Sequence, residues 1–229
     1  MDASEFAVHL DHIREGRETV SKDYSEPNRF FERTYMTGSL LDLCSQVVRR
    51  LSGIQVETSA VFNMATQMGG GKTHSLTTTY HLATHGEPAK HWKGVDRVLA
   101  KASVPQVPKA DVAVFVGTEF DVFHGRSGSG EPMRKTPWGE IAWQLGGGKA
   151  LAAVAEHDAK CVAPAGDALR AMLPSGPTLI LMDELMNYIS RARTTGGGGQ
   201  FYDFLQNLSE EARARKNMVV CVSLPASEG

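Results

Sequence analysis

The chain has 229 residues, 41% of them hydrophobic, and a formal net charge of −2. This content excludes a disordered chain, and the charge provides no chain-wide basic field for non-specific nucleic-acid binding. No apolar run reaches the length of about 18 residues that spans a membrane, and no signal core follows Met1, so we expect a soluble cytoplasmic protein. Three widely spaced cysteines without a CxxC pair predict buried free thiols in a reducing compartment.

Helical periodicity dominates the first quarter of the chain. Apolar residues from Phe30 to Leu51 recur at steps of three to four, and Gly53 is the expected stop. The string Thr37-Gly38-Ser39 is expected to divide this pattern into two helices, with Ser39 as the cap of the second. We therefore predict an N-terminal helical region over residues 1–57, whose apolar stripe packs against a sheet.

A glycine-rich turn joins a predicted strand, residues 59–65, to a predicted helix. The turn reads Thr66-Gln67-Met68-Gly69-Gly70-Gly71-Lys72-Thr73-His74. Glycines let main-chain N–H groups curl round an anion, and a helix start adds further donors and the positive end of its dipole. This layout is typical of a phosphate-binding P-loop, in which Lys72 reaches the β- and γ-phosphates and the Thr73 hydroxyl binds Mg²⁺.

The match to the plain P-loop consensus is imperfect, because Thr66 stands where the consensus has glycine. Gly69 and Gly70 can supply the flexibility instead. The alternative interpretation is a flexible glycine turn followed by a surface lysine.

Strands and helices alternate through the rest of the chain. Strands are predicted at residues 111–118, 177–184 and 217–225, and helices at 95–102, 137–145, 149–158, 164–173, 185–193 and 200–215. Residues 125–132 read as a mobile loop and residues 194–199 as a flexible link. Alternation of this kind predicts an α/β fold with a parallel sheet covered by helices on both faces, which we assign to a core over residues 58–229.

The second chemical motif ends one of these strands. Asp183-Glu184 follows four apolar residues, as in a Walker B element, and ligands of open α/β sheets bind outside the carboxyl ends of the strands. Asp183 would hold Mg²⁺ through water, and Glu184 would polarise the water that attacks the γ-phosphate. Alone, such a pair is more often a helix cap or a surface acid, but downstream of Gly-Gly-Gly-Lys-Thr it predicts an ATPase site.

Weaker candidates surround this pair. Ser223, on the last strand, is placed to contact the γ-phosphate or the attacking water, with an ordinary hydroxyl in a sheet as the alternative. Thr118 and Glu119 follow an intervening strand and could touch the catalytic glutamate. His81 and His85 share a helical face, but no third zinc ligand follows, which favours packing. Four arginines are candidates for an arginine finger, although solvated helix faces explain them more simply: Arg191, Arg193, Arg213 and Arg215.

The motif order resembles the additional-strand catalytic-glutamate division of P-loop NTPases, and within it the AAA-type ATPases. The strings Phe30–Thr37, Gln67–His74 and Ser223-Leu224-Pro225 are similar to a family of large prokaryotic AAA-like ATPases with a domain of unknown function. Members of that family lie beside DNA methyltransferases in restriction-like and BREX-type phage-defence operons, and their GGGKTH string tolerates a non-glycine first position. The resemblance implies binding of ATP and Mg²⁺, ATP hydrolysis, and a homo-oligomer or defence-complex partners such as a DNA methyltransferase. DNA contact stays open.

A complete AAA module continues after the Ser223 strand with a helix, a fifth core strand and a helical lid. These do not fit into residues 225–229, so we expect an N-terminal fragment with an exposed sheet edge. Two alternatives to an ATPase are a non-catalytic nucleotide-dependent scaffold and a small-molecule kinase, for which residues 125–132, with only Arg126, form a poor lid. No Asn-Lys-x-Asp string supports a GTPase. The adenine contacts are unreadable in sequence, and residues 49–56 are a guess.

Overall fold

In the computed structural model, which describes residues 10–66 and 71–225, a four-stranded parallel sheet forms the centre of the molecule. Its strands are β1 (Val61–Thr66), β2 (Asp111–Val116), β3 (Thr178–Asp183) and β4 (Met218–Pro225). They lie in the order β1-β4-β3-β2, and each neighbouring pair is parallel. The predicted α/β class with a parallel sheet is confirmed.

Helices cover both faces of the sheet because side chains alternate along each strand. In β3, Leu179 and Leu181 pack on one side, whereas Ile180 and Met182 pack on the other. The first face is covered by α1 (Leu10–Arg14), α4 (Gly38–Leu51) and α5 (Lys72–His85). The second is covered by α7 (Pro137–Ala153), α9 (Gly166–Met172), α10 (Leu185–Arg193) and α11 (Gly197–Ala214).

A third apolar cluster joins the remaining N-terminal helices to the segment after α5. It contains residues of α3 (Pro27–Arg33), α4, the 3₁₀ helix Glu87–His91 and α6 (Val95–Ala102). The short helices α2 (Lys22–Ser25) and α8 (Ala155–Lys160) complete the described elements. Because α1 and α4 pack directly on the sheet, the N-terminal helices and the sheet share one core.

The break between α3 and α4 is confirmed, but the predicted cap is wrong. Thr37 is the N-cap, and its side chain accepts a hydrogen bond from the Leu40 main-chain N–H at 3.2 Å. Ser39 already lies inside α4, where its main chain is helical and cannot serve as a cap. At the other end α4 stops at Leu51, and Gly53 follows with a positive φ of 88°, as expected of a helix stop.

Two further expectations are corrected, and one is confirmed. The glycines predicted to form a flexible link instead open α11, which starts at Gly197 after Gly196 in a left-handed conformation. Cys44 and Cys221 are buried, but Cys161 is exposed, because it ends α8 at the surface. The gap predicted between the helices 137–145 and 149–158 is confirmed, because Gly146 and Gly147 have non-helical main-chain angles and divide α7 into two helical stretches that meet at a kink.

Residues 125–132, predicted as a mobile loop, belong to a hairpin that is tied to two helices. Arg126 and Arg134 form an antiparallel bridge. Arg126 Nη1 lies 2.6 Å from Oδ2 of Asp11, a residue of α1. Arg134 Nε donates a hydrogen bond of 2.8 Å to Glu140 of α7. The many glycines suggested mobility, but the two arginines anchor the segment.

The two edges of the sheet differ. The outer edge of β2 is closed by Gln144 of α7, whose Oε1 accepts from the Val114 N–H at 2.7 Å and whose Nε2 donates to the Val114 carbonyl at 2.8 Å. The other edge is β1, and within the described residues no strand pairs beyond it. In the same part of the chain, none of the helices is long and apolar enough to cross a lipid bilayer.

Candidate functional site

The predicted motifs meet at the carboxyl ends of β1, β3 and β4. The Thr73 hydroxyl, in the first turn of α5, donates a hydrogen bond of 2.8 Å to Oδ2 of Asp183, the last residue of β3. Asp183 is only 4% exposed, and its Oδ1 accepts from the Glu184 main-chain N–H at 2.9 Å. Two side chains 110 positions apart in sequence are thereby brought together by the fold.

Lys72 reaches across to the end of β4. Its Nζ donates to the Leu224 carbonyl at 3.0 Å. The neighbouring Ser223 is buried, and in the register of the sheet it lies opposite Met64 of β1. Since β4 runs between β1 and β3, Ser223 sits between the two strands that lead to Lys72 and Asp183.

The start of α5 is suited to an anion. Gly71 is the N-cap and contributes no side-chain hydrogen bond, so the first N–H groups of this 14-residue helix have no side-chain cap. Thr66 is the last residue of β1, so strand and helix flank the predicted turn as expected. The predicted binding residues Gln67, Met68, Gly69 and Gly70 lie outside the described residues.

Thr73 and Asp183 also fit the donor chemistry of Mg²⁺. Their hydroxyl and carboxylate oxygens converge to 2.8 Å, and hard oxygen ligands are those that this ion prefers. Magnesium usually binds one or two protein carboxylates and completes its shell with water and phosphate oxygens, so this donor set suffices.

His74 packs on α3 and the residue that follows it. Its ring stacks on Phe30 with centroids 4.6 Å apart, and its Nε2 lies 3.1 Å from the Thr34 hydroxyl. Thr34 Oγ1 itself donates to the Phe30 carbonyl at 2.7 Å, so it accepts from a neutral His74. Burial lowers the pKa of His74, in keeping with that neutral form. The predicted role of His74 in nucleotide binding stays a prediction.

Glu184 combines an exposed side chain with a constrained main chain. Glu184 is the N-cap residue directly before α10. Its φ of 55° and ψ of 34° lie in the left-handed region. Gly117, just after β2, lies so close that a Cβ there would come within 2.1 Å of the Glu184 carbonyl oxygen. The end of β2 therefore packs against the Glu184 main chain and leaves no room for a side chain at position 117.

The neighbouring candidates have structural partners. Glu119 lies 3.0 Å from His12 Nε2 and 3.9 Å from Arg17, while Thr118 is exposed. The guanidinium group of Arg191 donates to the Phe120 carbonyl at 3.0 Å and to the Gly117 carbonyl. Arg191 thus holds the segment after β2 against α10, and its role as an arginine finger stays a prediction.

Of the other arginine and histidine candidates, some bond to main-chain carbonyls and the others are exposed. Arg215 donates to the Pro174 carbonyl at 2.7 Å, whereas Arg193 and Arg213 are exposed. His81 Nε2 lies 2.7 Å from the Tyr24 carbonyl, and His85 Nδ1 lies 2.9 Å from the His81 carbonyl. Over residues 10–66 and 71–225, no group of three His, Cys, Asp or Glu side chains is arranged to hold a metal ion.

The family profile of the DUF499 N-terminal domain matches residues 3–229. The chain belongs to the DUF499 family. The match covers the N-terminal helices as well as the sheet, consistent with their shared core. A comparison with curated proteins finds no match.

A cavity of about 540 Å³ opens in this DUF499 domain beside the start of α5 and the free edge of β1. Lys72 and His74 contribute to one wall. We call this cavity the β1 groove. Its lining also includes polar residues, namely Thr37, Ser39, Asn63 and Ser75, and a larger apolar and aromatic part formed by Tyr35, Leu40, Leu43, Phe62 and Met64. Sequence reasoning missed this feature, because the residues that line it come from three separate segments.

The segment 49–56 is the guess for the adenine contacts. Within it, Arg50 donates to the Met218 carbonyl at the amino end of β4.

Proposed function

We propose that this DUF499 domain binds ATP and Mg²⁺ at the turn between β1 and α5 and hydrolyses the nucleotide. In this proposal it is an AAA-like module of a larger prokaryotic DNA-modification or anti-phage defence ATPase, acting as an oligomer or with partners such as a DNA methyltransferase. The observation that carries it is the 2.8 Å hydrogen bond from Thr73 to Asp183. These are the hydroxyl and carboxylate that P-loop NTPases use together to hold Mg²⁺.

The strand order supports the same assignment. β4 lies between β1, which leads into the glycine-rich turn, and β3, which ends at Asp183. One strand inserted between these two elements is the arrangement of the additional-strand division of P-loop NTPases. A flexible turn followed by a surface lysine explains neither the strand order nor the burial of Asp183.

Each side chain has a defined task in hydrolysis. Lys72 exchanges the Leu224 carbonyl for phosphate oxygens, and the first N–H groups of α5 bind the same anion. Thr73 and Asp183 would hold Mg²⁺, and that ion would supply positive charge to neutralise the phosphates. Glu184, exposed at the carboxyl end of β3, accepts a proton from the water that attacks the γ-phosphorus, while the bridging oxygen leaves with ADP.

Nucleotide binding is tested by titrating a fluorescent ATP analogue in the presence of Mg²⁺. Wild type should bind saturably, and Lys72→Ala should weaken binding at least about tenfold because a charge-assisted phosphate contact is lost. Lys149→Ala, at an exposed position of α7, serves as the matched control and should bind like wild type. Equal binding by wild type and Lys72→Ala would contradict the proposal.

Hydrolysis is tested separately with Glu184→Gln. Loss of a general base lowers turnover by about 10²- to 10⁴-fold, while binding of ATP should be retained. Glu210→Gln, exposed on α11, is the control with the same chemical change. Turnover that is unaffected by Glu184→Gln would exclude this residue as the base. Nucleotide binding with no turnover in wild type would favour a nucleotide-dependent scaffold.

A further inference from the structure

The β1 groove reaches the start of α5, where Gly71 and Lys72 line it, and its lining combines charged and apolar groups. Lys72 and His74 lie at the start of α5, whereas the larger part of the lining is apolar and aromatic. A volume of about 540 Å³ suits a small organic ligand. A ligand that fills both the anion site and the groove would therefore have a charged end and a flat apolar end.

Tyr35 provides an exposed aromatic surface in this groove. It is 84% exposed, whereas the nearby Phe30 and Phe31 are 2% and 0% exposed. The preceding residue, Thr34, is buried and bonded both to the Phe30 carbonyl and to His74. The main chain is thus fixed next to α5 while the Tyr35 ring is left at the surface. Such a ring can stack on a base without sequence-specific hydrogen bonds.

The polar side chains around the groove are already used by local structure. Thr37 Oγ1 accepts from the Leu40 N–H and lies 3.2 Å from Ser39 Oγ. Ser75 Oγ donates to the Gly71 carbonyl at 2.8 Å. His74 is bonded to Thr34, as described above. These side chains therefore already have hydrogen-bond partners within the protein.

Among residues 10–66 and 71–225 no strand pairs with the outer edge of β1, which therefore offers main-chain groups to a ligand. The Val220 N–H donates to the Ala60 carbonyl, so in this parallel pair residues 60, 62 and 64 face β4, and Asn63 directs its N–H and C=O outward. The Asn63 side chain alternates with those of Phe62 and Met64 and lies on the opposite face of the sheet. A main-chain donor next to an acceptor can pair with the edge of adenine or of guanine.

Resting on the nucleotide site proposed above, we propose that the β1 groove holds the base of a purine nucleoside triphosphate. Tyr35 is the stacking residue, and Leu40, Leu43, Phe62 and Met64 provide the apolar contact. Because Thr37, Ser39, His74 and Ser75 already have protein partners and the Asn63 side chain lies on the other face of the sheet, the polar edge of the base meets main-chain groups, and the site discriminates little between adenine and guanine. It favours both over pyrimidines, whose smaller rings bury less area.

The test is a calorimetric comparison of Mg²⁺ complexes of ATP, GTP, CTP and inorganic tripolyphosphate. Tyr35→Ala should weaken ATP and GTP by about tenfold each, the loss of one base-stacking contact, and should leave tripolyphosphate binding unchanged. Tyr35→Phe keeps the stacking face and should bind like wild type. Tyr202→Ala, at a 47% exposed position of α11, is the matched control. In wild type, ATP and GTP should bind within about fivefold of each other, and CTP more weakly.

The outcomes separate this inference from the function on which it rests. Lys72-dependent ATP binding that Tyr35→Ala does not weaken overturns the base assignment and leaves the nucleotide site intact. An equal loss of tripolyphosphate in Tyr35→Ala overturns it too, because Tyr35 would then support the phosphate site. A preference for ATP over GTP above about tenfold overturns the lack of discrimination. If neither ATP nor tripolyphosphate binds through Lys72, the proposed function fails, and this inference fails with it.

Discussion

A buried carboxylate fixes the residues that precede α7. Asp158, 6% exposed, accepts hydrogen bonds from the Thr136 hydroxyl and from the main-chain N–H groups of Lys135 and Thr136, at 2.5 to 3.1 Å. Thr136 in turn caps the helix by accepting from the Gly139 N–H at 3.1 Å. Position 139 must be glycine here, because a Cβ would come within 2.1 Å of Asp158 Oδ1.

We therefore expect Gly139→Ala to lower the free energy of unfolding by about 2–4 kcal/mol, through steric overlap and weakened hydrogen bonds to a buried carboxylate. Gly148→Ala, later in the same helix, is the control because a Cβ there would meet nothing within 4 Å. That change should stabilise the protein by about 0.5–1 kcal/mol, since alanine restricts the unfolded chain. Urea midpoints measure both, and similar shifts in the two variants would refute the steric explanation.

His81 is a buried titratable group that favours its neutral form. It is 1% exposed, its Nδ1 has no hydrogen-bond partner among the described residues, and burial lowers its pKa to about 4. In the unfolded chain the pKa of a histidine is about 6.5. Below that pH His81 is therefore protonated in the unfolded chain but stays neutral in the folded protein. The free energy of unfolding therefore falls as the pH drops from about 6.5 to about 4.

The contribution of His81 to this fall reaches about 3 kcal/mol at and below pH 4, from the size of the pKa shift. His81→Phe removes the titration, so its stability should depend less on pH between 6.5 and 4 even though the Tyr24 contact is lost. His124→Asn, at an exposed position, should keep the wild-type profile. Chemical denaturation at several pH values measures the slopes, and parallel slopes in wild type and His81→Phe would show that the ring is not responsible.

At the scale of single elements, one side chain of α7 completes the edge of β2. The Gln144 amide pairs with both the N–H and the carbonyl of Val114, as a neighbouring strand would, and also donates to Glu140 Oε1 at 2.8 Å. The helix thereby closes a sheet edge that would otherwise expose free main-chain groups.

Gln144→Leu keeps the helix and most of the side-chain volume but leaves Val114 without these two bonds. We expect a loss of about 1–3 kcal/mol in the free energy of unfolding, the cost of unpaired buried polar groups. Gln206→Leu, exposed on α11, makes the same chemical change and should alter stability by no more than about 0.5 kcal/mol. Thermal and urea unfolding measure the difference in stability. If Gln144→Leu does not change the free energy of unfolding, water replaces the amide at Val114 and the expected cost is wrong.

Elements with strong local signals were predictable from the sequence, and those fixed by distant contacts were not. The bounds of α6 and α10 match the prediction, because apolar periodicity and flanking glycine or acidic residues define them locally. The pairing of Gln144 with Val114, 30 positions away, has no local signal. At the site, the meeting of Thr73 with Asp183 was foreseeable because strand ends share one edge of a parallel sheet. The groove beside Tyr35 depends on how α4 packs next to β1, which no local pattern encodes.

At the scale of the whole molecule, a network of charges joins the start of the chain to the hairpin after β2. Asp11 is fully buried, and Arg126 approaches its Oδ2 to 2.6 Å as an ion pair without hydrogen-bond alignment. Arg126 also pairs with Glu15, and Arg14 lies 3.2 Å from Asp11 Oδ1. A cavity of about 470 Å³ lies beside these groups. The positive charges of Arg14 and Arg126 are balanced by the negative charges of Asp11 and Glu15. We therefore interpret this network as a structural connection between α1 and the hairpin.

Arg126→Met should destabilise the protein by about 3–5 kcal/mol, because removing one partner leaves a buried carboxylate poorly compensated. Adding Asp11→Asn should recover part of this loss, since the uncompensated charge is then gone. Arg213→Met, at the exposed end of α11, controls for the loss of one positive charge. Additive effects of the two changes in a double-mutant cycle would contradict a direct coupling between them.

The unequal edges of the sheet limit how copies of this domain can associate through strand pairing. On β2 the outward main-chain groups of Val114 are paired with Gln144 of α7, whereas within the described residues the outward groups of β1 have no strand partner. A chain with two open edges can add copies without limit and grow into fibres, but a chain with one open edge can only meet another through that same edge. Two copies that paired through the described edge of β1 would be related by a twofold axis, and such pairing would compete directly with any ligand in the β1 groove.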